Sequence, residues 1–204
     1  MTIYTKKTPH LFDVSVEPIQ MLIGQNLTWM DNVYGIVEKL TDKKGKKSHT
    51  LPNIFFGGKY TQLLPCRELG NFCFFSLNDP QVVDSKKTNL VTSPYSLIFW
   101  YNIEELKKEY PEWDKFNINE RILSLLSQSH LNGVKYTIDN VYGDPSNIFK
   151  GFDYDFTDNQ SLMYPYAGLR IDGKLRATLS CYQNIYRDGD YNEDYNEDFD
   201  IKKI

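Results

Sequence analysis

The densest carboxylates in the body of the chain are Asp153, Asp155 and Asp158. If Asp153-Tyr154-Asp155 is extended, alternation puts the first and third side chains on one face. Such a pair can bind Ca²⁺ or act on a glycan. The segment lacks the glycine and the terminal glutamate of a calcium loop, and an exposed acidic turn accounts for it better. Joined to Trp29, Trp100 and Trp113, the cluster defines one possible function, a glycan-binding or glycan-cleaving module. Ser127-Gln128-Ser129-His130 offers a hydroxyl and an imidazole without the strand–turn–helix context of a nucleophile elbow. Gly57-Gly58-Lys59 lacks the remaining spacing of a phosphate loop. Cys66, Cys73 and Cys181, and likewise His10, His49 and His130, are scattered without metal-ligand spacing. No metal and no cofactor are therefore expected, the thiols read as free in a reducing compartment, and the chain is not expected to be an enzyme.

Two further clusters suggest contacts instead of catalysis. Lys43, Lys44, Lys46 and Lys47 surround Gly45. They read either as a solvated loop between a helix and a strand or as a loop that approaches a DNA backbone without reading sequence. Seven acids lie between Asp188 and Asp200, interleaved with Tyr191, Tyr195 and Phe199 at four-residue steps. These three aromatics are candidates for docking on a neighbouring subunit, and the alternative is a disordered acidic tail. Residues 1–187 hold 21 basic and 20 acidic residues, so the net charge of −4 belongs to the tail. A near-neutral body carries no broad footprint for nucleic acid.

The elements that position these residues follow from 204 residues with 41% hydrophobic, 25% charged and 15% aromatic content, enough for one packed domain. Alanine occurs only at Ala167 and Ala177, while Tyr, Phe and Ile are abundant, which argues for strands over a helical bundle. Ile19, Ile23, Leu27, Met30, Tyr34, Val37 and Leu40 recur at helical steps and predict a helix over Glu17–Leu40, begun at Ser15 or Glu17 with Pro18 in its first turn. Asn53–Phe56, Tyr60–Leu64 and Asn71–Leu77 read as strands. Tyr95–Tyr101, apolar at nearly every position, reads as a strand buried on both faces. Glu104–Tyr110 predicts a short helix, and a longer one follows with Asn117 as cap and Glu120 in the reciprocal position. Val134–Val141 alternates as a strand. Asp172-Gly173 predicts a hairpin with the three-residue loop Ile171-Asp172-Gly173, pairing Leu169 with Leu175. The expected fold is α+β, a mostly antiparallel β sandwich backed by two main helices. Its expected parts are an N-terminal arm (1–13), a single domain (14–187) and an acidic aromatic arm (188–204). No apolar run approaches the roughly 18 residues of a membrane span, and Met1–His10 lacks the apolar stretch of a signal peptide, so no membrane partner is expected.

Several segments resemble small structural proteins of phages that infect Bacteroidetes. They are Leu11-Phe12-Asp13 before the long helix, the aromatic strands of Leu51–Phe75, Ser93–Tyr101 with the short helix after it, and Tyr164-Pro165-Tyr166-Ala167-Gly168-Leu169-Arg170. The composition, rich in Asn, Lys, Ile, Tyr and Phe, suits an AT-rich genome. The layout is similar to neck and tail-completion ring proteins of crAss-like phages and covers most of residues 11–182. The resemblance implies a virion component, made in the host cytoplasm. It implies a homo-oligomeric ring of about twelve or about six copies, closed by cyclic symmetry. The ring would contact the portal and other neck and tail proteins, and DNA only by non-specific passage. It carries over no catalytic residue, and the acidic tail is not part of it.

Overall fold

The apolar run at Tyr95–Tyr101 lies within the longest strand pair of the molecule. The computed structural model describes residues 1–6, 9–44, 47–56, 58–65, 67–78, 81–84, 90–128, 135–154, 164–178 and 199–203. In chain order the strands are β1 (Thr2–Lys6), β2 (Asn32–Ile36), β3 (Glu38–Lys44), β4 (Lys47–Phe56), β5 (Lys59–Gln62), β6 (Phe72–Leu77), β7 (Gln81–Asp84), β8 (Leu90–Asn102), β9 (Lys135–Tyr142), β10 (Tyr166–Thr178) and β11 (Phe199–Lys203). The helices are α1 (Leu11–Asn26), α2 (Ile103–Glu109), α3 (Lys115–Gln128) and the single turn α4 (Pro145–Ile148).

The fold is α+β. Eight strands form one sheet in the order β11-β1-β2-β6-β8-β10-β9, with β7 also paired to β8, and β3-β4-β5 form a second sheet. Among the described strand pairs, only β1–β2 and β2–β6 are parallel. Side-chain alternation along the central strands explains the layering. Cys73 and Phe75 of β6 and Leu97, Phe99 and Tyr101 of β8 join one core cluster with Phe12, Val16, Ile19 and Ile23 of α1 and Ile118, Ile122 and Leu126 of α3. Phe72, Phe74, Ile98 and Trp100 point the other way, into a second cluster with Leu51 and Ile54 of β4, Leu63, Ile148, Phe149 and Tyr154. The main sheet thus has helices on one face and the small sheet on the other. Burial of β8 on both faces agrees with its sequence.

Three local expectations are corrected. The helix expected over Glu17–Leu40 is α1, which starts at Leu11 and stops at Asn26. Its start is fixed by Asp13, whose carboxylate accepts from His10 N at 2.9 Å and lies 3.5 Å from Lys6 Nζ. Pro18 sits inside the helix, beyond its first turn. Beyond Asn26, Val33, Tyr34 and Gly35 are consecutive buried residues of β2, so the helical spacing was coincidental and β-branched and aromatic content decided the outcome. Next, α3 is capped by Asp114, not Asn117. Asp114 Oδ1 accepts from Asn117 N at 2.9 Å, and Asn117 Oδ1 accepts from Asp114 N at 3.1 Å.

The third correction is the hairpin at Asp172-Gly173, which does not exist. β10 runs straight through it, paired to β8 from Tyr166↔Asn102 to Thr178↔Leu90. The dipeptide marks a register shift against β9. A Cβ on Gly173 would lie 1.8 Å from the Thr137 carbonyl oxygen and 2.9 Å from the Tyr95 ring.

Gly173→Ala should cost about 1–3 kcal/mol or more, because the blocking atom is backbone and cannot rotate away; urea unfolding checks this. A pH effect follows from the buried phenols. Tyr95, Tyr101 and Tyr154 donate to Thr137 O, Asn119 Oδ1 and Leu63 O, and burial first of all pushes each phenol well above its ordinary ionisation range. In the unfolded chain they ionise near pH 10. Stability should therefore be full below about pH 10 and fall as the pH rises past it. In a spectrophotometric titration these three should ionise only as the fold is lost.

Candidate functional site

A cleft of about 600 Å³ opens where the α1–β2 connection, the turn before β6, the end of β8, and α2 converge. Its frame depends on Asn71, which is 7% exposed. Asn71 N donates to Asp31 Oδ2 at 2.7 Å, its Nδ2 donates to Trp29 O at 3.0 Å, and its Oδ1 accepts from Asn102 N at 2.8 Å. Its carbonyl accepts from Asp31 N and Asn32 N at 2.9 and 3.0 Å. One side chain therefore ties three chain segments together. Asn102 Oδ1 in turn caps α2 by accepting from Glu104 N and Glu105 N. Gly70, at φ +62°, precedes this hub, and a Cβ there would lie 2.3 Å from Asp31 Oδ2.

Asp31, Glu68, Glu105 and Glu109 line the cleft with Trp29, Trp100 and Tyr166, and no basic residue is among its described lining. Tyr166 stacks on Trp100 with centroids 4.7 Å apart. Four carboxylates with no base among the described lining favour cations and disfavour phosphate backbones. Among the described residues, no group of three His, Cys, Asp or Glu side chains is arranged to hold a metal ion.

The residues singled out in the sequence are mostly placed elsewhere. Trp29, Trp100 and Trp113 are 8%, 1% and 6% exposed, so their faces are committed to the core instead of to a sugar. Trp113 is stacked by Tyr110 at 3.8 Å, and the Arg121 guanidinium carbon lies 4.4 Å from its centroid. Asp153 is tied to β4: its N donates to Thr50 O at 2.8 Å and its carboxylate accepts from Thr50 N at 2.7 Å. Asp155 and Asp158 lie outside the described residues, as do Ser129, His130, Cys66 and Cys181. Ser127 Oγ donates to Ser124 O of its own helix. Cys73 is fully buried, and burial pushes its thiol well above the usual range.

Lys43, Lys44 and Lys47 do not form a helix–strand loop. They belong to the closed end of the β3–β4 hairpin, with Lys44 opposite Lys47, and Lys46 lies outside the described residues. Tyr191 and Tyr195 also lie outside. Phe199 begins β11, opposite Lys6 of the same chain. The sequence reading missed the Asn71 hub, whose only signal was the Gly70-Asn71 pair. It also missed the exposed Phe116 and Tyr164, 79% and 68% accessible. Tyr164 borders an apolar groove of about 320 Å³ with Ile103, Pro145 and Ile148. No helix among the described residues is long and apolar enough to cross a membrane. No family model matches the sequence, and no curated protein matches it.

Asn71→Ala should destabilise the fold by about 1–3 kcal/mol, because it leaves the buried Trp29 carbonyl and Asn102 amide without their partner. Thermal and urea unfolding of the variant check this.

Proposed function

We propose that the chain is a structural protein of a phage virion, assembling head-to-tail into a ring at the head–tail connection and joining portal-side to tail-side proteins around the DNA channel. The observation that carries this reading is the unlikeness of the two edges of the eight-stranded sheet. One edge is the C-terminal strand β11, seated on β1, and the other is β9. Open strand edges are templates for pairing. A contact between unlike surfaces is heterologous and terminates only when rotation closes a ring. β9 offers Asp139, Asn140 and the 41% accessible Val141 at its edge.

Two further features support the reading. Phe116 and Tyr164 are large rings left in solvent, the residue type that anchors protein interfaces. The lysine-bearing end of the β3–β4 hairpin suits passage of DNA through non-specific backbone contacts. The acidic cleft suits contact with a basic protein surface and would face away from the channel. Native mass spectrometry of the purified full-length chain should give one closed stoichiometry, about twelve copies to match a portal or about six to match a tail tube. A chain that stays monomeric at every concentration, and alongside its neck partners, would overturn the proposal.

A further inference from the structure

The face of the main sheet that meets the small sheet changes character at one end. Phe72, Phe74, Ile98 and Trp100 fill that face with apolar side chains. Further along the same strands, Ser76 stands opposite Ser96, and Ser96 stands opposite Asp172. Alternation keeps all three on this face, and Arg170, opposite Ile98, joins them there. Where the apolar rows would continue, the sheet presents two hydroxyls. With Lys39 of β3, Lys150 and Phe152, these residues line a pocket of about 170 Å³.

The hydroxyls are buried without being satisfied. Ser76 and Ser96 are 4% and 6% exposed. Among the described residues, neither Oγ has a hydrogen-bond partner. Removing a hydroxyl from water without a replacement bond is unfavourable. Residues directly opposed on neighbouring antiparallel strands hold their Cβ atoms about 4.5–5.5 Å apart, so both hydroxyls can donate to one small guest.

Charge selects the guest. The lining described holds three bases against one acid. The Asp172 carboxylate is already engaged, accepting from Arg170 Nε at 2.7 Å and Nη2 at 3.2 Å. Arg170 Nη1 donates to the Lys150 carbonyl at 2.6 Å, which leaves two of the five guanidinium N–H groups unused. Lys39 Nζ donates to Asn78 Oδ1 at 3.3 Å and lies 5.8 Å from the Phe152 centroid. The Lys150 ammonium has no acceptor among the described residues. The pocket therefore combines excess positive charge with unused donors, the requirements of an anion site. Its volume falls below the roughly 300–1,000 Å³ of sites for larger organic ligands, which selects a small ion. Donors come from the sheet on one side and from β3 and the Lys150 segment on the other, which suits a tetrahedral anion better than a planar carboxylate.

We propose that this pocket binds a free tetrahedral oxyanion of the phosphate type, with Ser76 and Ser96 donating from the sheet and Lys39 and Lys150 supplying the charge. The site is independent of the ring proposal and adds a ligand to it.

Isothermal titration calorimetry of the full chain with inorganic phosphate tests this, with sulfate and chloride compared at fixed ionic strength. Phosphate and sulfate should bind saturably at one ion per chain, and chloride should not. Ser96→Ala and Lys150→Gln should each weaken phosphate binding roughly tenfold or more, because each removes a hydrogen bond to a charged group. Without the anion, Ser96→Ala should unfold at a temperature no lower than the unsubstituted chain, since it removes an unpartnered hydroxyl. Lys150 is exposed, so Lys150→Gln keeps the test decisive should the serine variant misfold. A short DNA duplex should not displace the phosphate; displacement would overturn the assignment to a free ion. No saturable binding at millimolar phosphate, or binding that both variants leave unchanged, would overturn the site itself.

Discussion

A strand covered on both faces has no access to water for its amides and carbonyls, so every one of them must find another strand. β8 is that strand here. β10 satisfies it along one side over its whole length, and β7 and β6 satisfy it in succession along the other. Its side chains then require two covers. Leu97, Phe99 and Tyr101 require the helices, and Ile98 and Trp100 require the small sheet with the segment around Ile148 and Phe149. The layered architecture is the consequence of this demand. The buried phenols of Tyr95 and Tyr101 are the polar ends that the strand has to satisfy with Thr137 and Asn119.

Where burial alone decided structure, the sequence was easy to read. Tyr95–Tyr101 and Asn71–Leu77 announce their strands by apolar content, and the first also announces its two covered faces; β9, which has no fully buried residue, is legible by alternation instead. Where spacing was ambiguous it misled. Met30, Tyr34 and Val37 fall at helical steps from Ile23, yet Thr28-Trp29 is a turn, Tyr34 belongs to β2, and Met30 and Val37 lie just outside β2 and β3. Asp172-Gly173 has the chemistry of a turn, but the same smallness is needed where the Thr137 carbonyl presses against β10. The Asn71 hub was invisible because its partners are 31 to 42 residues away in sequence. The local Gly70-Asn71 pair signals a turn and not the junction.

The candidate contacts fall at the periphery of this core. β11, seated on β1, forms one edge of the main sheet, β9 forms the other, and the lysine-bearing hairpin belongs to the separate small sheet. The carboxylate-lined cleft sits at the end of β8, framed by side chains whose hydrogen bonds serve the fold itself. The proposed assembly role draws on this division between a core that fixes the layers and sheet edges that lie outside it. The tryptophans first suspected of sugar binding belong to the core side of that division.

Electron microscopy of the assembled phage particle bears most directly on the proposed role. The account expects density for this chain as a closed ring on the tail axis between portal and tail, with unlike sheet edges of adjacent copies in contact. Density off that axis, as single copies without self-contact, would contradict it.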